Sequence, residues 1–104
     1  EELLTELAAN CEAAGGKARI FPCDVVDPAD LQTAADNFIK EFGHIDVLIA
    51  NAGMGGNDEA TRSYEPAAVK RLIEVNLLGA VNAVHAVLPG MRARRVSFLY
   101  HFAK

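Results

Sequence analysis

The sequence predicts an α/β fold built on a parallel sheet. Stretches with helical apolar periodicity alternate three times with short runs of β-forming residues, in the order helix, strand, helix, strand, helix, strand. One run, IDVLIA, is almost continuously apolar, which is typical of a strand buried on both faces of a parallel sheet. Such alternation indicates strands joined through helices rather than through hairpins. We interpret residues 1–104 as one domain without internal repeats.

The first predicted pair is a helix at the start of the chain, followed by a strand. Apolar residues recur at helical spacing at Leu3, Leu4, Leu7, Ala8 and Cys11. Gly15–Gly16 then supplies a C-cap. The segment KARIFPCDV alternates apolar and polar residues around Ile20 and Phe21, as a strand does.

The second predicted pair begins with a well-marked helix start. Asp27 can act as the N-cap, Pro28 suits the first helical turn, and Asp30 follows three residues after the cap. The apolar stripe consists of Leu31, Ala34, Ala35, Phe38, Ile39 and Phe42. Gly43 is expected to end this helix, and IDVLIA is the strand that follows it.

The third predicted pair follows a loop at residues 51–65. Pro66 opens a long helical pattern whose apolar positions are Val69, Leu72, Ile73, Leu77, Ala80, Val81, Val84 and Leu88. Pro89–Gly90 is expected to end or kink this helix. The run RVSFLYHF alternates apolar residues and is rich in β-formers, so it predicts a third strand.

Composition excludes several function classes. The formal net charge is -4 and the only cluster of basic residues is Arg92, Arg94 and Arg95, which argues against nucleic acid as a partner. Those arginines are expected to complement a helix dipole. We find no signal-peptide pattern and no apolar run long enough to span a bilayer, so we expect a cytoplasmic protein without membrane contact.

Metal binding is not predicted either. Cys11 and Cys23 lack zinc-ligand spacing, and each falls on a predicted apolar face, which favours buried thiols over a disulfide. His44, His85 and His101 have no cysteine, carboxylate or second histidine at ligand spacing. Ordinary surface or core histidines are therefore the favoured interpretation.

Candidate ligand-binding residues follow the predicted strands, because ligands of open α/β sheets bind beyond the carboxyl ends of strands. Asp24–Val25 follows the first strand, and Asn51, Ala52 and Gly53 follow the second. Both sites can also be explained as loop caps or strand-ending turns. Neither a G-x-G-x-x-G nor a Walker pattern occurs, and residues 57–59 are interpreted as a solvated loop.

Asn76 is the third candidate site. It lies on or beside the apolar stripe of the long helix, where asparagine is a poor helix former. A buried asparagine there needs a hydrogen-bonding partner such as water, backbone or a neighbouring loop. Asn82 is predicted to point to a different face and to make packing or solvent contacts.

Together these stretches resemble the short-chain dehydrogenase/reductase family, which binds NAD or NADP on a Rossmann-type sheet. Asp24-Val25 is similar to the Asp-hydrophobic pair that contacts the adenine in the family. IDVLIANAG is similar to the family's Asn-Asn-Ala-Gly stretch, with Ala50 in place of the first Asn. EVNLLGAV resembles the helix that carries the family's active-site asparagine, which here is Asn76. The resemblance covers roughly residues 1–91.

The resemblance implies a Rossmann-like three-layer parallel sheet and hydride transfer between nicotinamide and a small carbonyl or alcohol substrate. It implies that the cofactor cleft is lined by Asp24, Val25, Asn51, Ala52 and Gly53. It also implies that Asn76 helps to hold a water molecule in a proton relay. The substrate and the choice between NAD and NADP are not indicated by these residues.

The sequence also departs from the family pattern. Counterparts of the family's first two strands, and of the T-G-x-x-x-G-x-G turn after the first, are absent. In the family's sheet order, 3-2-1-4-5, those strands lie between KARIF and IDVLIA. We therefore expect an incomplete fold, without the N-terminal βαβ unit and the C-terminal part, that is poorly stable and inactive alone.

The final stretch YHFAK matches the family's Tyr-x-x-x-Lys spacing at Tyr100 and Lys104. In the family both residues lie on a helix after a strand and a Ser-bearing loop. Here they follow RVSFL directly, and on a strand this spacing separates them by ~13 Å. We interpret the match as accidental, and a truncated or altered reading frame after Arg95 would account for it.

Two other classes of function remain open. The helix from Pro66 to about Leu88 resembles the helix that such enzymes use for subunit pairing, so the chain could be a non-catalytic module or a homo-oligomer. A receiver-like signalling domain would need a phosphorylated aspartate and Mg²⁺. Asp24 and Asp27 suggest that class, but the sequence ANAG after the central strand offers no phosphoacceptor.

Overall fold

The computed structural model describes residues 2–95 and 98–101 and confirms the α/β class. Its elements, in chain order, are α1 (Glu2–Ala13), α2 (Pro28–Phe42), β1 (Val47–Ala50), α3 (Glu59–Arg62), α4 (Pro66–Ile73), a π-helical turn (Glu74–Leu78), α5 (Gly79–Ala93) and β2 (Phe98–His101).

The sheet consists of β1 and β2, which pair in parallel with Val47 opposite Phe98 and Ala50 opposite His101. The prediction of a strand in KARIFPCDV is wrong, because residues 16–24 have an irregular backbone and pair with no strand. A strand exists only through hydrogen bonds to a neighbour, and within the described residues β1 and β2 pair only with each other. The sequence pattern was that of a strand, but no partner strand lies beside it among residues 2–95 and 98–101.

The prediction that β1 is buried on both faces is also wrong. Val47 and Ile49 are 49% and 57% exposed, whereas Leu48 and Ala50 on the other face are partly buried. Helix α5 packs on that second face, and α2 packs against α5. The described residues therefore form one helical layer on a narrow sheet, and no third layer is seen in this part of the chain.

The helix ends agree with the sequence signals. The N–H of Gly16 donates to the carbonyl of Cys11 and the N–H of Gly15 to that of Glu12, which is the Schellman pattern after α1. Gly15 has a φ of 97°, a conformation that glycine adopts without strain. At α2, the carboxylate of Asp27 accepts hydrogen bonds from the backbone N–H groups of Ala29 and Asp30.

The long helix comprises α4, the π-helical turn and α5, residues 66–93, which run on without a break. Pro89 lies inside α5 and does not end it, since the helix continues to Ala93. The sequence did not predict the π-helical turn at Glu74–Leu78. Such turns insert one extra residue into a helix and are frequent at functional sites.

The core is small. Ala35 of α2 packs with Val87 and Met91 of α5, supported by partly buried side chains at Ile45, Leu48 and Ala86. Apart from this cluster, Val75 is the only other residue of the range 2–95 whose apolar side chain is buried. So little burial is the physical basis for the expectation of low stability.

Both cysteines are free and exposed, so the prediction of buried thiols is wrong. Cys11 is exposed because its whole helix is exposed. Helix α1 buries none of its residues, and its apolar side chains Leu3 and Leu7 are 80% and 58% exposed. The amphipathic pattern of α1 is present, but nothing in the described structure covers its apolar stripe.

The helical stretch Pro66–Ala93 has 28 residues and a mean hydropathy of 1.5 over an 18-residue window. By length and composition it could cross a bilayer, which corrects our finding that no apolar run reaches that length. Core helices of water-soluble proteins satisfy the same criterion. Its first half also carries the charged residues Lys70, Arg71 and Glu74. Lys70 and Glu74 form an ion pair along the helix.

Candidate functional site

The carboxyl end of β1 opens into a cleft of about 240 Å³. It is lined by Val25, Leu31, Leu48, Ile49, Ala50, Asn51, Ala52, Gly79, Ala80 and Ala83. Three of the predicted cofactor-binding residues, Val25, Asn51 and Ala52, thus come together in one cleft. The other two, Asp24 and Gly53, are neighbours of that lining and are exposed.

The carboxylate of Asp24 is already used in local contacts. Its Oδ1 accepts a hydrogen bond of 3.0 Å from the N–H of Val26, and its Oδ2 lies 3.8 Å from Nη2 of Arg71. The first contact forms an Asx turn. This is the loop cap that the sequence allowed as an alternative to a ligand-binding role. Since a carboxylate has about four acceptor positions, these two contacts still leave room for a ligand donor.

Val25 is held by the start of α5. Gly79 is buried, and a Cβ at that position would lie 2.7 Å from Cγ2 and 3.1 Å from Cβ of Val25. The side-chain Nδ2 of Asn82, one turn further along, donates a 2.9 Å hydrogen bond to the carbonyl of Val25. The prediction that Asn82 makes only packing or solvent contacts is therefore wrong, because Asn82 ties α5 to the residue beside Asp24.

Asn76 lies in the π-helical turn and bonds to the loop after β1. Its Oδ1 accepts a 2.7 Å hydrogen bond from the N–H of Met54, and its Nδ2 donates at 2.9 Å to the carbonyl of the same residue. The neighbouring loop is thus the partner that the sequence required. Asn76 is half-buried rather than fully buried.

The loop after β1 contains one short helix that the sequence did not predict. Asp58 caps α3 by accepting a hydrogen bond from the N–H of Thr61 at 3.1 Å and another from its hydroxyl at 2.7 Å. The hydroxyl of Thr61, and then its backbone N–H, lower the pKa of the Asp58 carboxyl. Residues 57–59, interpreted from sequence as a solvated loop, therefore include an N-cap and the start of a helix.

The surroundings of the Cys23 thiol do not favour its thiolate form. Although the residue as a whole is exposed, partial desolvation of its thiol group raises the pKa of Cys23, and the nearby carboxylates of Asp30 and Asp24 raise it further. A raised pKa keeps the group protonated at neutral pH, and the thiolate is the reactive form. Within residues 2–95 and 98–101, no group of three His, Cys, Asp or Glu side chains could hold a metal ion.

Tyr100 lies in β2, paired with Ile49 of β1, and not on a helix. Lys104 and Ser97 lie outside the described residues. For Tyr100, the structure agrees with the strand placement on which the accidental interpretation of YHFAK rests.

Comparison with known proteins gives a consistent result. The family model described as short chain dehydrogenase matches residues 1–97. Dehydrogenase/reductase SDR family member 7B of Bos taurus is 40% identical over 99 residues, a match covering 91% of this chain and 30% of that protein. Among solved structures, an NAD⁺-bound xylitol dehydrogenase superposes with a TM-score of 0.91 and 27% identity. The match covers 99% of this chain and 40% of the xylitol dehydrogenase chain.

A second solved structure is a metagenomic short-chain oxidoreductase in complex with NADP. It has a TM-score of 0.86 and 29% identity, and the match covers 96% of this chain and 45% of that one. The chain spans 24% to 34% of the length of eight curated relatives that it matches.

Proposed function

The chain belongs to the short-chain dehydrogenase family, whose solved members include NAD- and NADP-bound enzymes, and we propose that it forms part of the cofactor domain of an NAD(P)-dependent oxidoreductase. That enzyme transfers a hydride between the nicotinamide and the carbonyl or alcohol carbon of a small molecule. The cofactor supplies the hydride chemistry, and the protein supplies binding and orientation.

The cleft at the carboxyl end of β1 carries this proposal. Val25, Asn51 and Ala52 meet there, at the edge of a parallel sheet where ligands of such folds bind. Its volume of about 240 Å³ is below the range of roughly 300–1,000 Å³ found for whole ligands. It therefore fits one part of a dinucleotide, and we assign Asp24 and Val25 to the adenine end, with Asn51, Ala52 and Gly53 along the same wall.

We assign Asn76 two tasks. Its side-chain amide holds the loop after β1 through Met54, and it supports a water molecule in a proton relay. The amide has two acceptor lone pairs and two N–H donors, of which Met54 uses one each. One lone pair on Oδ1 and one N–H on Nδ2 remain for the water.

We also propose that the 104-residue polypeptide is inactive by itself. No T-G-x-x-x-G-x-G turn occurs in its sequence, and in Rossmann folds such a turn and the following helix N-terminus bind the pyrophosphate. Tyr100 is in a strand, where it cannot share a helix face with a lysine.

A chimera tests the proposal directly. Residues 1–91 of this chain replace the superposed segment of the xylitol dehydrogenase, which contributes its own remaining sequence. The chimera is expected to fold and to oxidise xylitol with NAD⁺. Asn76→Ala in the chimera is expected to lower kcat roughly ten- to a hundredfold, within the contribution of general acid–base steps. A folded chimera without cofactor binding would contradict the proposal.

A second candidate function is pairing with another copy through the long helix. Ile73, Leu77 and Val81 follow one another at helical spacing and are 49%, 57% and 53% exposed. A contiguous apolar surface that is exposed to water is typical of a site at which another protein binds. We propose a homo-oligomer formed by this stripe, which is compatible with the oxidoreductase role.

A further inference from the structure

We propose that Asn82 is a positioning residue that fixes the Asp24–Val25 wall of the cleft for the adenine end of the cofactor. The inference rests on the proposed function, because it assigns a residue to the same cleft. It extends that function to a side chain that does not line the cleft itself.

The hydrogen bond from Asn82 is a long-range contact to a segment with little other support. It joins residues 57 positions apart and is partly buried. Residues 16–24, which lead into Val25, form no strand and therefore have no ladder of hydrogen bonds. Two hydrogen bonds within the turn are local ones, from the N–H groups of Val26 and Asp27 to Asp24. Such local bonds shape a turn without fixing its position on the molecule.

The long helix holds this turn at three points. Arg71 pairs with the carboxylate of Asp24 at 3.8 Å, Gly79 leaves space for the side chain of Val25, and Asn82 binds the carbonyl of Val25. The ion pair joins two side chains that are each about half exposed, so solvent screening makes it weak. The missing Cβ at Gly79 permits close approach but supplies no directional bond. Asn82 is the contact that sets both distance and direction.

Asparagine is also a costly choice at this position. Asn is a poor residue for a helix interior, and α5 continues for eleven residues beyond Asn82 to Ala93. Alanine or leucine would suit the helix interior better. The amide is explained by the carbonyl of Val25, which needs a donor at that distance.

The same helix thus aligns two walls of the site. Through Asn76 it holds Met54, and through Asn82 it holds Val25. Loss of the second contact is expected to free the Asp24–Val25 wall while leaving the Met54 loop in place. A freed wall must be ordered when a ligand binds, which weakens the binding of a ligand that contacts it.

The test compares Asn82→Asp with Asn37→Asp in the 104-residue protein. The first exchange replaces the amide donor by an acceptor of the same size, facing the carbonyl of Val25. Asn37 is exposed in α2 and provides the matched control. Asn82→Ala serves as a second variant that removes the donor without adding a charge. For each protein we would measure the amide exchange rate of Val26 by NMR, the AMP affinity, and the urea midpoint.

The expected result is faster exchange at Val26 and about tenfold weaker AMP binding in both Asn82 variants. The exchange rate of Met54 and the properties of Asn37→Asp should remain as in the wild type. A purely structural role would instead raise exchange throughout the molecule and lower the urea midpoint, without a change in AMP affinity of the folded fraction. That result, or unchanged exchange at Val26, would overturn the inference.

The wild-type arm separates this inference from the proposed function. If the wild type shows no AMP binding at any accessible concentration, the proposed function fails and the ligand role of Asn82 fails with it. If the wild type binds AMP and both Asn82 variants bind it equally well, the proposed function stands and the role of Asn82 alone is rejected.

Discussion

The side-chain amide of Asn76 forms two hydrogen bonds with the backbone of Met54: its Oδ1 accepts from the N–H of Met54 at 2.7 Å, and its Nδ2 donates to the carbonyl of Met54 at 2.9 Å. The amide thus pairs with both backbone groups of Met54, as a residue on a neighbouring antiparallel strand would. The contact joins the π-helical turn of the long helix to the loop after β1, and so places the helix beside the cleft.

Asn76→Ala is expected to release that loop. Two hydrogen bonds are lost, and because Met54 is exposed its backbone groups can bond to water instead. We therefore expect a loss of about 1 kcal/mol in the free energy of unfolding, at the low end for two such bonds. Urea unfolding measures this loss, with Asn37→Ala of α2 as the matched control. Equal midpoints for the two variants would show that the Asn76 contact contributes no stability.

Gly79→Ala is expected to destabilise the protein although alanine favours helices. The new Cβ would lie 2.7 Å from Cγ2 of Val25, closer than carbon atoms pack, so Val25 must move. We expect a cost of about 1–3 kcal/mol, the range for overpacking. Gly90→Ala in the same helix meets nothing within 4 Å and should stabilise by about 0.5–1 kcal/mol. Thermal unfolding of both variants measures the difference.

The clash can also be relieved from the other side. Val25→Ala removes Cγ2, the atom that the new Cβ would approach to 2.7 Å, so the double variant Gly79→Ala/Val25→Ala should be less unstable than the sum of the two single changes. Strict additivity would mean that Val25 and Gly79 do not touch in solution.

The stability of the α3 N-cap is expected to depend on pH, because the cap is the carboxylate of Asp58. The folded pKa of Asp58 is lowered, chiefly by the hydroxyl of Thr61, so its stabilising effect is present above the unfolded pKa and is lost as pH falls through the lower folded value. An NMR titration should place the Asp58 carboxyl pKa below that of an ordinary aspartate. Thr61→Val should raise it, whereas Thr61→Ser should not. A Thr61→Val variant with an unchanged pKa would contradict this cause.

Self-association through the long helix predicts a mass that depends on concentration. Leu77→Lys places a charge in the middle of the stripe formed by Ile73, Leu77 and Val81, and burying an unpaired charge is unfavourable. Sedimentation should show a dimer in the wild type and at least tenfold weaker association in the variant. Leu3→Lys on α1, at a side chain 80% exposed, is the control. A wild type that stays monomeric would reject the pairing proposal.

The features that the sequence predicted well depend on neighbouring residues. Asp27 caps α2 with its own side chain and Gly43 ends that helix with a φ of 94°, so both signals are complete within a few residues. The position of Tyr100 in a strand was likewise readable from the β-formers around it. The family resemblance, carried by short motifs in order, is confirmed by the match over residues 1–97.

The features that the sequence missed depend on distant residues. KARIFPCDV has the alternation of a strand, but alternation cannot supply the neighbour that a strand requires. Cys11 lies on an apolar stripe that nothing in the described structure covers. The π-helical turn carries Asn76, which bonds to Met54, 22 positions away. The bond from Asn82 to Val25 joins residues 57 positions apart. For Asn82, the one available signal was a polar amide in the middle of a helix.

The most direct test of the central claim is an NMR titration of the ¹⁵N-labelled protein with NAD⁺ and NADP⁺. The account predicts weak binding, with a Kd on the order of millimolar because the pyrophosphate turn is absent from the sequence. The shifted amides should be those of Val25, Asn51 and Ala52 around the cleft. Shifts confined to another surface, such as the groove beside Tyr64 and Ile73, or no shifts at saturating concentration, would contradict it.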